Sequence, residues 1–204
     1  MKILLLLGDL DSVLTSYLEK FQDNFIVTSE KINEEFINLH LPEFIISYGY
    51  RYIIPENIIA HYPDNAINLH ISFLPWNRGA DPNFWSFIDD TPKGVTIHYI
   101  DRGVDTGDII VQRRVEFSDN DTLRTSYLKL HQEMLALFKE NWTNIRSKKC
   151  QRIKQSQFVD GTSHRLKDKE KLAFLLTHGW DTPTTVLKEY AAETRLSEQF
   201  WCNP

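Results

Sequence analysis

Cysteine is scarce: Cys150 and Cys202 are the only two in 204 residues. That excludes a disulfide framework and a cysteine-rich zinc site. Long apolar runs are missing too, and nothing approaches the roughly 20 residues that a bilayer crossing needs. The opening stretch is apolar only from Ile3 to Leu7 and turns acidic at Asp9 and Asp11, which is too little for a secretory leader. Basic charge is in deficit: 23 Lys and Arg against 28 Asp and Glu leave a net charge of −5. A chain whose main task is to coat nucleic acid has the opposite balance. Gly8 is the sole glycine of the first expected strand-to-helix turn, so no phosphate-cradling glycine motif stands there. No serine sits in a G-x-S-x-G elbow, and none of the seven histidines forms the paired zinc-protease pattern. What remains is a cytoplasmic enzyme or binding protein that needs no metal, touches no membrane and has no nucleic-acid partner.

The first half alternates apolar runs with helical patterns. Residues 2–7 form a continuous apolar run, as in a strand covered on both faces. Residues 11–21 carry Val13, Leu14, Tyr17, Leu18 and Phe21 on one helical stripe. Strands are expected at 24–27, 44–48 and 66–70, a helix at 30–39, and a short helix opened by Pro55. A helix at 82–89 follows, then strand-like segments at 94–100 and 108–117. Residues 122–147 place Leu123, Tyr127, Leu130, Met134, Phe138, Trp142 and Ile145 at spacings of three or four, a long core-facing helix. This order predicts an α/β fold: a doubly wound, mostly parallel twisted sheet with helices on both faces. Beyond residue 150 the pattern turns polar, with one more helix expected at 184–193. Residues 1–149 are therefore read as a catalytic domain and 150–204 as a short C-terminal appendage.

Chemistry concentrates at the end of the fourth strand, where open α/β sheets bind ligands. Asn68 and His70 are two apart and share a face. An amide donor beside an imidazole suits a reaction that builds charge on an oxygen. The plainer reading is a strand-terminal amide and a satisfied core histidine. Asp105 lies in the loop 101–107, between Gly103 and Gly107. It is either a turn former or the group that orients a histidine and tunes its pKa.

Taken together, Asn68-Leu69-His70, Leu74-Pro75, Arg78-Gly79, Pro82 and Val104-Asp105-Thr106-Gly107-Asp108-Ile109-Ile110 resemble the signature of the folate-dependent formyltransferases. Ile71 and Phe73 depart from that family's frequent Pro and Leu, as packing changes. The resemblance implies a Rossmann-like catalytic domain in which Asn68, His70 and Asp105 move a formyl group from 10-formyltetrahydrofolate to an amine. It implies a folate site along residues 46–55, with Ser47, Tyr48, Gly49, Tyr50, Arg51 and Ile53, joined by Asp101 and Gly103 of the glycine loop. The stretches 74–86 and 161–168 look most like the small enzymes that act on nucleotide-linked amino sugars. On that likeness Trp76, Asn77, Arg78 and Asn83 are the candidate acceptor contacts, Arg78 taking a phosphate. A homodimer through the appendage is a further expectation. The alternatives left open are another amine acceptor, such as a glycinamide ribonucleotide, and a non-catalytic folate-binding module. The turn Gly8-Asp9-Leu10-Asp11 speaks against the ribonucleotide, because its carboxylates repel a phosphate.

Overall fold

The computed structural model describes residues 1–8 and 12–201. Asp9, Leu10 and Asp11, on which the phosphate-repelling turn was read, lie outside the described residues, as does Cys202.

Strand β1 (Lys2–Leu7) is apolar from Ile3 onward because helices cover both its faces. Ile3, Leu5 and Leu7 join the core beneath α1 (Ser12–Leu18) and α5 (Leu123–Arg146). Leu4 and Leu6 join a second core beneath α2 (Glu34–His40) and α3 (Glu56–Ile59). The same alternation runs through β3 (Phe44–Tyr48), where Phe44, Ile46 and Tyr48 face α5 and Ile45 faces α2 and α3. With β2 (Asn24–Thr28), β4 (Ala66–His70), β6 (Gly94–Tyr99) and β7 (Ile109–Arg114), these make a six-stranded sheet ordered β2-β1-β3-β4-β6-β7. The first four strands pair in parallel and the last two join antiparallel. β4 thus lies between a parallel and an antiparallel neighbour, and its carboxyl end opens where the sheet changes direction.

Caps set the helix limits. The Asn33 side chain accepts from the Phe36 N–H at 2.8 Å, so α2 starts at Glu34 rather than at residue 30. Thr122 and Thr125 form a reciprocal capping box that starts α5. The α5 stripe packs flat on the sheet, with Trp142 wedged between the rings of Phe44 (5.4 Å) and Phe138 (5.1 Å). Two short strands escape the sequence pattern. β5 (Arg78–Gly79) pairs in parallel with β8 (Ser163–His164), and two residues carry no readable periodicity.

After α5 the chain folds back over the carboxyl end of β4. Ile153 bridges Ile109 at the edge of the sheet. Helices of the tighter 3-10 type span Gln155–Gln157, Leu166–Leu175 and Gly179–Asp181. α6 (Thr184–Trp201) runs past residue 193, since no Gly or Pro interrupts it. Its Leu187 shares a third core with Phe84, Trp85 and Phe87 of α4 (Pro82–Ile88) and with Leu123. The appendage therefore completes a core that the rest of the chain begins.

Candidate active site

Asp105 is the centre of a polar cluster at the carboxyl end of β4. Its backbone sits in the left-handed region, φ +53°, which aspartate tolerates better than most residues. From there one carboxylate oxygen accepts from the Asn68 amide at 3.0 Å and the other from the Gly79 N–H at 2.8 Å. The His70 Nδ1 lies 3.6 Å from Asp105 Oδ2, and the His98 Nε2 lies 3.4 Å from Oδ1. The strand register makes this meeting possible: Asn68 on β4 stands opposite His98 on β6 and beside Ser47 on β3. Gly79 approaches so closely, with φ +88°, that a side chain there would strike the His164 carbonyl.

The electrostatics follow from this packing. Burial by itself pushes the Asp105 carboxyl up, but the His70 and His98 imidazoles and the Gly79 N–H outweigh it. They hold it well below the usual carboxylate range, so it stays ionised. Burial pushes His70 below its ordinary value, and the Asp105 charge only partly restores it. His70 is thus a neutral base at neutral pH. Its Nε2 faces the Asn77 carbonyl at 3.1 Å and donates there. Its Nδ1 lone pair then faces Asp105 across a gap too long for a direct hydrogen bond. A proton delivered into that gap meets two acceptors.

The three residues that the sequence picked out as catalytic are together. The folate segment leaves β3 beside them. Ser47 is buried, and Tyr52 and Ile53, 43% and 74% exposed, form an uncovered apolar strip. Arg51 is exposed. Tyr48 and Tyr50 turn elsewhere. The Tyr48 hydroxyl pairs with His131 on the α5 side of the sheet, and Tyr50 donates to the Glu30 carbonyl at 2.7 Å. Gly49 has φ +66° and turns the chain out of β3. Asp101 orders its own loop, accepting from the Gly103 N–H at 3.0 Å and the Thr106 hydroxyl at 2.7 Å.

The acceptor candidates divide. Trp76 is half-buried before α4. Asn77 is 0% exposed, and its amide reaches Asp89 and Thr162, so it presents no side-chain surface to a ligand. Arg78 spends two donors on the Gln155 amide oxygen, at 3.0 and 2.7 Å. Asn83 is buried, donating to the Leu123 carbonyl at 3.0 Å.

Sequence reasoning missed four neighbours. His98 follows a strand alternation that makes it look like a core position, and only the antiparallel pairing puts it on Asp105. Gln155 donates to the Asp105 and Gly107 carbonyls at 2.9 and 2.8 Å. Thr162 accepts from the Asn77 N–H at 2.8 Å. His164 stacks on Trp85 at 3.8 Å and pairs with Asp89 at 2.7 Å. The last three lie in the appendage, and no local signal joins them to a site some 50 to 85 residues away. Among the described residues no three His, Cys, Asp or Glu side chains are grouped to hold a metal ion.

The chain has known relatives. The chain is 53% identical to the formyltransferase PseJ of Anoxybacillus kamchatkensis, solved in complex with UDP-4,6-dideoxy-4-formamido-L-AltNAc and tetrahydrofolate. The two superpose with a TM-score of 0.88 over 94% of this chain and 100% of that one. It is 39% identical over 106 residues to the methionyl-tRNA formyltransferase of Desulforamulus reducens, covering 50% of this chain and 33% of that protein. It is 36% identical over 113 residues to the phosphoribosylglycinamide formyltransferase of Bacillus subtilis, covering 55% of this chain and 57% of that protein. The chain thus spans a third to a little over half of the curated relatives it matches. The family model for formyl transferase matches residues 15–140, well over half of the chain, so the chain belongs to the formyl transferase family.

Proposed function

We propose that this protein is an N-formyltransferase that moves the formyl group of 10-formyltetrahydrofolate to the amine of a nucleotide-linked amino sugar. The observation that carries this is the Asn68–His70–Asp105 cluster, built as an ionised carboxylate against a neutral buried imidazole. The likeness to PseJ over nearly the whole chain supports a UDP-linked 4-amino-4,6-dideoxy sugar as the acceptor. The exposed Tyr52 and Ile53, in the segment that follows β3, support a site for a flat pterin ring there.

The folate, when bound, supplies an activated formyl carbon. The residues of this chain do the rest. Asn68 offers an amide N–H where negative charge gathers on the formyl oxygen, the moment at which a fixed donor counts most. Asp105 orients that amide through its 3.0 Å hydrogen bond. The His70–Asp105 gap receives the proton that the attacking amine must lose, and holds it between nitrogen and carboxylate. The Asn77 carbonyl fixes the imidazole from its far side.

In this reading residues 1–149 are the catalytic domain and 150–204 an appendage that shapes the site. The protein works in the cytoplasm, where reduced folates and nucleotide-linked sugars meet; no described helix is long and apolar enough to cross a membrane. Val159, Leu166 and Phe174 of the appendage are 99%, 73% and 63% exposed, which supports a homodimer through this surface. Light scattering on the purified protein reads its mass. The function is tested with a panel of amines and 10-formyltetrahydrofolate: UDP-, dTDP- and GDP-linked 4-amino sugars, a 3-amino analogue, glycinamide ribonucleotide and methionyl-tRNA. Turnover confined to the last two refutes the amino-sugar reading.

A further inference from the structure

A cavity of about 300 Å3 is lined by Ile71, Phe84 and Tyr127 together with Lys169 and Trp180 of the appendage, and by none of Asn68, His70 and Asp105. It adjoins the site through the chain itself. Ile71 directly follows His70, and Asp81, also in the wall, lies two residues beyond the Gly79 N–H that holds Asp105. Side chains alternate along a strand, so Ile71 lies on the α5 face of the sheet and His70 on the other. A ligand in the cavity therefore reaches the cluster only by crossing the end of β4.

We propose that this cavity binds the nucleobase of the acceptor's nucleotide, with Trp180 as its stacking face; the inference rests on the acceptor reading above. The walls favour a flat heterocycle over a sugar. Tyr127 and Trp180 meet edge to face at 5.2 Å, and Trp180 is still 49% exposed, so ring surface is left for a guest. The polar groups of the wall are mostly engaged. Lys169 pairs with Asp81 at 2.8 Å and lies over the Phe84 and Trp180 rings at 5.3 and 5.9 Å. The Asn83 amide donates to Leu123, while its oxygen is buried without a partner. A sugar ring needs partners for several hydroxyls, which these walls do not supply. A base needs flat apolar faces and few edge partners. The wall also sets a −1 charge at Asp81 against the +1 of Lys169, so it lacks the surplus positive charge that a pyrophosphate requires.

The test is calorimetric binding of free UDP, dTDP and GDP, with tetrahydrofolate present, to the wild type, Trp180→Ala and Trp180→Phe. Trp180 is half-exposed, so the substitutions leave the fold intact. We expect Trp180→Ala to weaken nucleoside diphosphate binding at least tenfold and Trp180→Phe to retain most of it. The KM for the sugar acceptor rises in parallel, while kcat and the folate KM stay within about twofold. Equal binding by the wild type and Trp180→Ala overturns the cavity assignment and leaves the function standing. A raised acceptor KM with unchanged nucleoside diphosphate binding also overturns it, placing the sugar there. If the wild type binds no nucleoside diphosphate and formylates no nucleotide-linked sugar, the proposed function falls with it.

Discussion

The buried half of the sheet and the rim of the catalytic cluster are held together by different physics. In β1 and β3 the side chains from Ile3 to Leu7 and from Phe44 to Ile46 are at most 2% exposed, and they hold position by apolar burial. At the rim the backbone is strained instead. Asn77, Asp81 and Asp105 have φ of +55°, +50° and +53°, conformations that non-glycine residues adopt at a cost of about 1–3 kcal/mol each. Each of the three is held by a different residue of the appendage. Thr162 takes the Asn77 N–H, Lys169 takes the Asp81 carboxylate, and Gln155 takes the Asp105 carbonyl. The sheet would be recognised in any α/β protein. The rim exists because a polar tail returns to clamp it. The lesson is that the appendage holds the backbone around the Asn68–His70–Asp105 cluster even though it contributes no member of it.

That contrast can be broken by substitutions that separate activity from stability. At the cluster, His70→Asn lowers kcat by a factor on the order of 10²–10⁴, the usual scale for an acid–base group, with little change in Tm; steady-state kinetics beside a thermal melt measure both. In the sheet, Leu5→Ala does the opposite. It costs about 2–5 kcal/mol of stability in urea unfolding, while the kcat of the folded fraction is unchanged. At the clamp, Gln155→Ala moves both quantities. Removing the two bonds to the Asp105 and Gly107 carbonyls costs about 1–3 kcal/mol and lowers kcat roughly tenfold without raising the folate KM. Thr162→Val, which loses only one acceptor, gives a smaller effect of the same kind. A Gln155→Ala enzyme with wild-type kcat would reduce the appendage to a passive cover.

A further effect is read from pH. Burial depresses His131, beneath Tyr48, from 6.5 to about 4. Its folded pKa is below its unfolded one, so the unfolded chain binds the extra proton. The stability this neutral histidine provides is complete above pH 6.5 and is lost as pH falls towards 4. Over about 2.5 units, at ~1.4 kcal/mol per unit, the loss is on the order of 3 kcal/mol. His131→Gln flattens that part of the pH–stability curve; an unchanged slope would mean that the ring is hydrated.

The sheet was legible because its signals are local. The apolar run of β1, the α5 stripe and the turn residues around Gly103 and Gly107 each lie within one window of sequence. Asn68, His70 and Asp105 were legible for a different reason: their motif resembles that of a family. Neither route gives Gln155, Thr162 or His164 a role, although the family likeness takes in the stretch 161–168. Their partners lie far along the chain, and the two-residue pairing of β5 with β8 that brings them in leaves no periodic trace. Arg78, the candidate phosphate contact, lies at the same blind spot: two of its donors meet Gln155, a contact that no inspection of residues 74–86 reveals.

Transfer of an isotopically labelled formyl group tests the central claim most directly. The label is carried on 10-formyltetrahydrofolate, and the acceptor is a UDP-linked 4-amino-4,6-dideoxy sugar. The reaction is followed in a single turnover with the wild type and with His70→Asn and Asp105→Ala. The wild type is expected to place the label on the sugar nitrogen, and each variant to do so at least a hundredfold more slowly while still binding both substrates. Label transfer at wild-type rate by either variant, or none by the wild type to any nucleotide-linked amino sugar, would contradict the account.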